Sequence, residues 1–511
     1  NHEEGISIML TTIFKKEILE ALISLRFLIA TLLCLVLIPL GMYVNLKDYQ
    51  QRLADYQEAM RLYQARAEGN IEYNFQAEGY RPPSLLSIFS VGLEYFLPNK
   101  IVTSRGGDFR ISNEAGVNNP QSLLFGKIDL LFNVSFVISL LVLIFTFNAI
   151  SGEKEDGTIR LIMSNPVPRW QILVGKIVGN YTVLMIPFIL SLLISLIILS
   201  TSGYFPVFTS KILLPFMVML FVTLLFLLTM FHLGIFISSL THRSSTSLVI
   251  ALFAWTVFVL SLPKISPMMA EILYPVESQQ VLNLRKTLTR ENILKQFDKE
   301  RRELYEKVLT DFGLTFQSAI GIKGPLSEEE RKVFGLSSEE VDKLLQANAK
   351  YEKLLQPIEE KYNERTSIEI KKLENDYNHR RNLQAAIAVN LSRVSPVSCF
   401  SYIVAEIAGT GVMEMNNFQR NANRFQNEVK ENIYEKFIVH RYGRASGSEA
   451  WTMDYAEGFD PKTASVPHLN YRQITLSDAF QAEWIDILLL FLFNLLLFAA
   501  SQVSSLKYDV R

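Results

Sequence analysis

Six apolar stretches dominate the pattern of hydrophobic and polar positions along the chain: about Phe27 to Val44, Ile128 to Ile150, Ile172 to Ser200, Ile212 to Ser238, Ser247 to Leu262 and Trp484 to Ser501. Each approaches or exceeds the roughly 20 residues that carry a helix across a hydrocarbon core about 30 Å thick, and the fifth is the shortest. The first is not a cleavable signal: charged residues precede it, no small-residue cleavage pattern follows Gly41, and a charged helical pattern continues directly from it. Residues 1–8 read as a poorly ordered lead-in ahead of Met9.

The segments between these stretches are helical in period. Leu46, Tyr49, Leu53, Tyr56, Met60 and Tyr63 recur at alternating three- and four-residue steps, the spacing of a heptad seam, and predict that the first span continues outward as a stalk. Two further helices are expected over about Gln279 to Phe312, with Leu294, Phe297, Leu304 and Val308 on a stripe, and about Ser337 to Ala388, with Leu344, Tyr351, Leu355, Ile358 and Tyr362 before a change of phase to Ile370, Leu373 and Tyr377. Gly321, Gly324 and Pro325 mark the tip of an antiparallel hairpin covering about 279–390. The apolar segment of about 396–411 is too short to span and predicts an interfacial helix, followed by a helix over about Glu414 to Tyr442 and an irregular stretch with room for a strand or two. The fold class is an all-α polytopic membrane protein with six transmembrane helices and an external, mainly α-helical domain containing coiled-coil-like stalk helices.

Charge then sets orientation. Lys15, Lys16 and Arg26, then Lys154, Arg160 and Arg169, then Arg243, and finally Lys507 and Arg511 fall on one side of such a threading, whereas the short connection Thr201 to Ser210 carries no lysine or arginine. Basic residues are retained in the cytoplasm, so both termini are expected there. That places residues 45–127 and 263–483 outside, leaving 484–501 as the last span and 502–511 as a cytoplasmic tail. The location expected is the plasma membrane, the inner membrane of a bacterium.

Composition excludes several functions. The 511 residues are 49% hydrophobic with a formal net charge of −1, which argues against a nucleic-acid binder. Six histidines never pair at ligand spacing and only Cys34 and Cys399 are present, so no metal site is expected. No HExxH pair or nucleophile–base arrangement stands out, and no catalytic residue is assigned. The span interiors hold almost no ionisable groups. Lys176 and Asp129 are expected at span ends, and Asn133, Asn148, Asn180, His232 and Asn494 are expected in interhelical hydrogen bonds, so the energy for any transport must come from outside the chain.

The connection after the second span is the most informative: AISGEKEDGTIRLIMSNPVPRWQILVGKIVGNY, Ala149 to Tyr181. Acidic residues open it, Gly157 turns it, Ile159, Leu161, Ile162 and Met163 form an apolar ridge, and Pro166 and Pro168 stop a helix over 151–165. It resembles the ABC-2 type permeases, the membrane subunits of ATP-binding-cassette exporters. Glu153, Glu155, Gly157, Thr158, Ser164, Pro166, Val167, Arg169, Gly175 and Lys176 match, while Ile159 and Val174 depart conservatively. The segment Ile13 to Phe27 is similar to the interfacial N-terminal helix of that family, with Phe14, Ile18, Leu22 and Leu25 on one face and Lys15 and Lys16 elsewhere. Leu391 to Gly411 and the terminal Lys507 to Arg511 resemble the subgroup with a large insertion before the last helix.

The resemblance implies an exporter permease whose 151–165 helix docks into a cytosolic ABC ATPase dimer. No Walker A loop is found, so ATP and Mg belong to that partner, and this chain is expected to carry no cofactor. A second permease copy or a homologue completes the pathway, with membrane lipids around it. The alternative is a mechanotransmission protein that uses the same motor to act on an external envelope protein through the stalk, with nothing crossing the bilayer.

Overall fold

A computed structural model describes residues 14–15, 17–67, 71–105, 109–113, 127–158, 168–203, 209–315, 337–443 and 449–507. The chain forms two compact units. The first holds Asn1–Pro267, Val389–Tyr434 and Pro461–Arg511, and the second holds Met268–Ala388 and Glu435–Asp460.

Apolar side chains on helices need an apolar surround, and in the first unit they form one bundle. Its helices are α1 (Leu25–Ala67), α2 (Leu130–Glu155), α3 (Trp170–Thr201), α4 (Lys211–Leu240) and the helical run α5 (Ser244–Leu273), which continues past the unit boundary. Ser24 starts α1 by accepting the Phe27 N–H at 3.2 Å, and Asp129 starts α2 by accepting from Phe132 N–H at 2.7 Å and Val91 N–H at 2.8 Å. Asp129 is therefore at the span end, as expected, and buried against its own chain. Both α2 and α5 contain π turns, over Asn133–Ile138 and Thr256–Ser261. Such turns redirect backbone carbonyls; Phe258 O accepts the Ser395 hydroxyl, and Trp255 Nε1 donates to Ser139 Oγ at 2.9 Å.

Small residues let α2 and α4 meet closely. A Cβ added at Gly234 would lie 1.8 Å from Thr146 Oγ1 and 2.8 Å from Thr146 Cβ. One turn further, Ser238 Oγ accepts the N–H groups of both Ile150 and Ser151 at 3.0 Å, where α2 ceases to be regular. The buried polar span residues pair with one another: His232 Nδ1 lies 2.9 Å from Asn494 Oδ1, and Asn494 Nδ2 donates to Thr229 Oγ1 at 2.7 Å.

Seven described helical stretches are long and apolar enough to cross a membrane, one more than the six expected. The addition is Pro396–Lys436, whose apolar part is the short helix ahead of Gly409. Labelled in chain order, α6 (Gln279–Asp311) and α7 (Ser338–Ser392) precede it; it is α8 (Pro396–Ile407), followed by α9 (Val412–Asn432) and α10 (Leu476–Lys507). Twelve residues rise only about 18 Å. α8 is buried against its neighbours in the bundle. Phe400 stacks on Phe226 of α4 at 4.6 Å between centroids, and Arg393, just before α8, grips Asp486 of α10 with Nε–Oδ1 at 3.0 Å and Nη2–Oδ2 at 2.6 Å. The helix ends where Gly409 turns with φ +65°. The last span is also longer than expected, since α10 starts at Leu476 rather than near Trp484.

The face of the seam is covered within the chain. Leu46, Tyr49 and Tyr63 are buried and Leu53, Tyr56 and Met60 are half-buried, along a helix of 43 residues. What covers this face is the segment that follows α1 in sequence. Tyr63 packs on Phe75 at 6.4 Å, and Arg52 reaches Asp48 at 2.9 Å, Glu94 at 3.0 Å and Ser87 Oγ at 2.9 Å. Tyr95 donates to Asp48, and burial together with that carboxylate pushes its phenol well above the ordinary range. The same segment holds an antiparallel sheet, β1 (Ala77–Tyr80), β2 (Lys100–Thr103) and β3 (Phe109–Ser112), which the sequence reading did not foresee. Tyr434 fixes it by donating to Thr103 O and accepting from Ala77 N–H.

In the second unit α6 and α7 pair antiparallel, as the periodicity predicts. Lys350 meets Asp311 at 2.8 Å, Tyr305 packs on Tyr351 at 4.8 Å, Phe297 on Tyr362 at 5.5 Å, and Arg365 donates to Gln296 at 2.8 Å. Thr366 stays half-buried between Tyr362 and Ile370, bridging the change of phase. Leu294 is a correction: it is exposed, and neighbouring Ile293 is buried. The helix expected to reach Tyr442 ends at Asn432, because β4 (Phe437–Gly443), rich in β-branched and aromatic residues, pairs with β5 (Glu449–Tyr455). The hairpin tip lies outside the described residues.

Replacing Gly234 by alanine is expected to cost about 1–3 kcal/mol through overpacking against Thr146, and leucine more. The apparent melting temperature of the full chain in detergent measures this. An unchanged value for Gly234→Leu would contradict the close approach.

Candidate functional site

The site lies at the end of the bundle where residues 14–22, 147–158, the first turns of α3 and the α4–α5 connection converge. At its centre is Lys176, two turns into α3 and 5% exposed. Its ammonium donates to Glu153 Oε1 at 2.7 Å and to Glu17 Oε1 at 2.8 Å. Asn180, one turn further on the same face, donates to Glu17 Oε2 at 2.9 Å. A buried ammonium is tolerable only when its donors are satisfied, and here two carboxylates from separate segments do so. Gly179 permits the approach: a Cβ there would come within 2.9 Å of Glu17 Cβ.

Two neighbouring contacts extend the clamp. Lys154 donates to the carbonyls of Ser239 and of Thr241, the latter at 3.2 Å, which ties residues 151–155 to the end of α4. Glu155 Oε2 accepts the Ser244 N–H at 2.9 Å, at the first turn of α5. Arg26, at the start of α1, donates to Asn148 Oδ1 at 2.7 Å and lies over the Phe147 ring at 4.8 Å. One polar network therefore joins the N-terminal helix and all of the first five helices of the bundle.

Residues expected to be functional fall into two groups here. Glu153 faces inward and is used within the chain, so it is not a free docking residue. Glu155, Asp156, Gly157 and Thr158 are exposed, and Gly157 has φ +72° with nothing within 4 Å of an added Cβ. The helix Ser151–Glu155 stops there, at the left-handed turn of Gly157, and residues 159–165 of the expected 151–165 helix lie outside the described residues. Ile159, Leu161, Ile162, Met163 and Pro166 lie outside the described residues, as do Lys16 and the Arg169 side chain.

In the N-terminal helix Phe14, Ile18 and Leu22 are half-buried and Lys15 is exposed. Leu25 departs from the expected face and is 70% exposed, as are Leu19 at 60% and Ile23 at 84%. Sequence reasoning missed Glu17 and Ser244 and read Lys154 only as an orienting charge, whereas Asn180 makes an interhelical hydrogen bond as expected. The spacing Lys176, Gly179, Asn180 was the available signal, a cation, a gap and an amide on one helical face at a span edge.

The family model described as ABC-2 family transporter protein matches residues 11–423. A probable ABC transporter permease protein NosY of Stutzerimonas stutzeri is 42% identical over 50 residues, which is 10% of this chain and 18% of that protein. Its namesake in Pseudomonas aeruginosa is 38% identical over 50 residues, with the same shares of each. The chain thus spans under a fifth of the length of these curated relatives.

Removing one partner of a buried ion pair strands the other, at about 3–5 kcal/mol. Lys176→Met is expected to destabilise by that amount. A double-mutant cycle of Glu153→Gln and Lys176→Met is expected to return a coupling of about 0.5–3 kcal/mol, read from unfolding of the purified chain. Additive effects would contradict the clamp.

Proposed function

This chain belongs to the ABC-2 transporter family, and on that premise we propose that it is the permease subunit of an exporter driven by ATP hydrolysis on a separate cytosolic ABC ATPase dimer. The single observation that carries this reading is the division at the clamp. Glu17, Glu153 and Lys176 are locked inside the chain, while residues 155–158 project from the same segment. A load applied to an exposed projection reaches the bundle only if the projection is rigidly joined to it, and the clamp is that joint.

In this proposal the clamp end is cytosolic, as are both termini, and residues 45–127 and 263–483 are extracytoplasmic. The distribution of lysine and arginine favours that orientation. ATP and Mg bind the partner. Residues 155–158 and the ridge Ile159 to Met163 dock on it, and Arg169 follows the exit prolines. A second permease copy or homologue completes the pathway, and the sparsely covered faces of α5 and α10 suit lipid or such a neighbour.

A second reading has a specific observation in its favour. α7 has 55 residues, about 80 Å of helix, paired with α6. Such a lever suits mechanotransmission to an external envelope protein without translocation. ATP-dependent accumulation of substrate in vesicles supports export; ATP-dependent change in the hairpin without accumulation supports the second reading.

Asp156→Ala and Thr158→Ala, both at exposed positions, are expected to lower ATP hydrolysis by the assembled complex at least several-fold while leaving the melting temperature of the chain alone nearly unchanged. Hydrolysis at the wild-type rate in both variants would overturn the docking assignment.

A further inference from the structure

A second site lies in the first unit, well away in sequence from the clamp. Where the chain enters α10, a cavity of about 510 Å³ opens between α9 and residues 472–482. Its wall carries Arg420 and Arg424, one turn apart on α9, with Arg472 from the segment leading into α10, and Asn417 and Gln481 beside them.

The charge balance of this cavity is unusual. Three arginines and one aspartate, Asp478, line it, all four exposed. Asp478 is already occupied, accepting from the Thr475 N–H at 3.0 Å and the Thr475 hydroxyl at 2.7 Å to cap α10. The nearby Glu414 is buried, and its carboxylate accepts from the Tyr471 hydroxyl and, at 3.5 Å, from Asn417 Nδ2. Among the described residues no ion pair holds any of the three arginines, although Arg420 acts on the charge of Asp478. Three cations on one concave wall give it a positive potential that favours an anion. Guanidinium forks match the oxygen geometry of phosphate through paired, charge-assisted hydrogen bonds.

We propose that this cavity binds a phosphate-type anion, with Arg420, Arg424 and Arg472 as its ligands and Gln481 as a neutral donor, while Asn417 Nδ2 is used within the chain, donating to Arg472 O at 2.8 Å. Its place at the head of an apolar span puts it within reach of two sources of the same chemistry, the headgroup of an anionic phospholipid and a soluble phosphate ester. The site is separate from the proposed ATPase docking surface, so its test stands whether or not that reading holds.

The test uses the full chain in nanodiscs of phosphatidylcholine, with and without phosphatidylglycerol, and in neutral detergent titrated with glycerol 3-phosphate. Thermal stabilisation is the readout in each case. Stabilisation in either arm is expected to weaken about tenfold or more in apparent affinity in Arg420→Gln/Arg424→Gln/Arg472→Gln, to weaken less in Arg472→Gln alone, and to strengthen in Asp478→Asn. It should persist in Lys295→Gln/Arg302→Gln/Lys372→Gln, which removes the same number of exposed cations elsewhere. Response to phosphatidylglycerol alone identifies a lipid headgroup, and response to glycerol 3-phosphate identifies a soluble ester. Stabilisation by neither, or equal stabilisation in the triple arginine variant, overturns the proposal.

Discussion

The ammonium of Lys176 between the carboxylates of Glu17 and Glu153 is the constraint on which the rest of the clamp end depends. Two carboxylates from distant segments would repel at this separation. With the cation between them they hold the N-terminal helix, the 151–155 turn and α3 together. The cost of desolvating three charges is offset only when every partner is in place, so the arrangement is stiff: it is either complete or strongly disfavoured. Stiffness of this kind suits a joint that must pass displacement from an exposed segment into a set of apolar helices, where packing alone offers little directional resistance.

Away from that joint the bundle is held by shape and by neutral hydrogen bonds. Gly234 beside Thr146, Ser238 beneath the Ile150 and Ser151 amides, and the His232–Asn494–Thr229 chain occur where helices pass closely. In lipid, apolar surfaces gain little by leaving one another's neighbours, so small residues and satisfied polar groups do the work of association. The π turns in α2 and α5 belong to the same logic, since the Trp255, Ser139 and Ser395 contacts gather around them.

Much of this was legible in the sequence because the physics involved is periodic. Long apolar runs announced the spans, the 3–4 spacing announced the α6–α7 hairpin, and the matched motif around Gly157 announced the family. The remainder was hidden for specific reasons. Glu17 and Lys176 sit at span edges, where charge ordinarily means exposure to headgroups, and only tertiary contact distinguishes a snorkelling lysine from a clamped one. Strands of four residues, such as Ala77–Tyr80, are too short to show an alternating pattern. The seam announced a covered face, but a seam does not record what covers it. The burial of α8 was invisible for a similar reason, as an apolar helix of twelve residues suits an interface and a bundle interior equally.

The most direct measurement places a photocrosslinking residue at Asp156, beside the clamp, or at Gln57, on the exposed face of α1 beyond its apolar part, in the chain expressed with its ATP-binding subunit. A clamp that carries load from a cytosolic motor requires a crosslink to that subunit from position 156 and none from position 57. A crosslink from position 57, or none from position 156 in an intact complex, would contradict it.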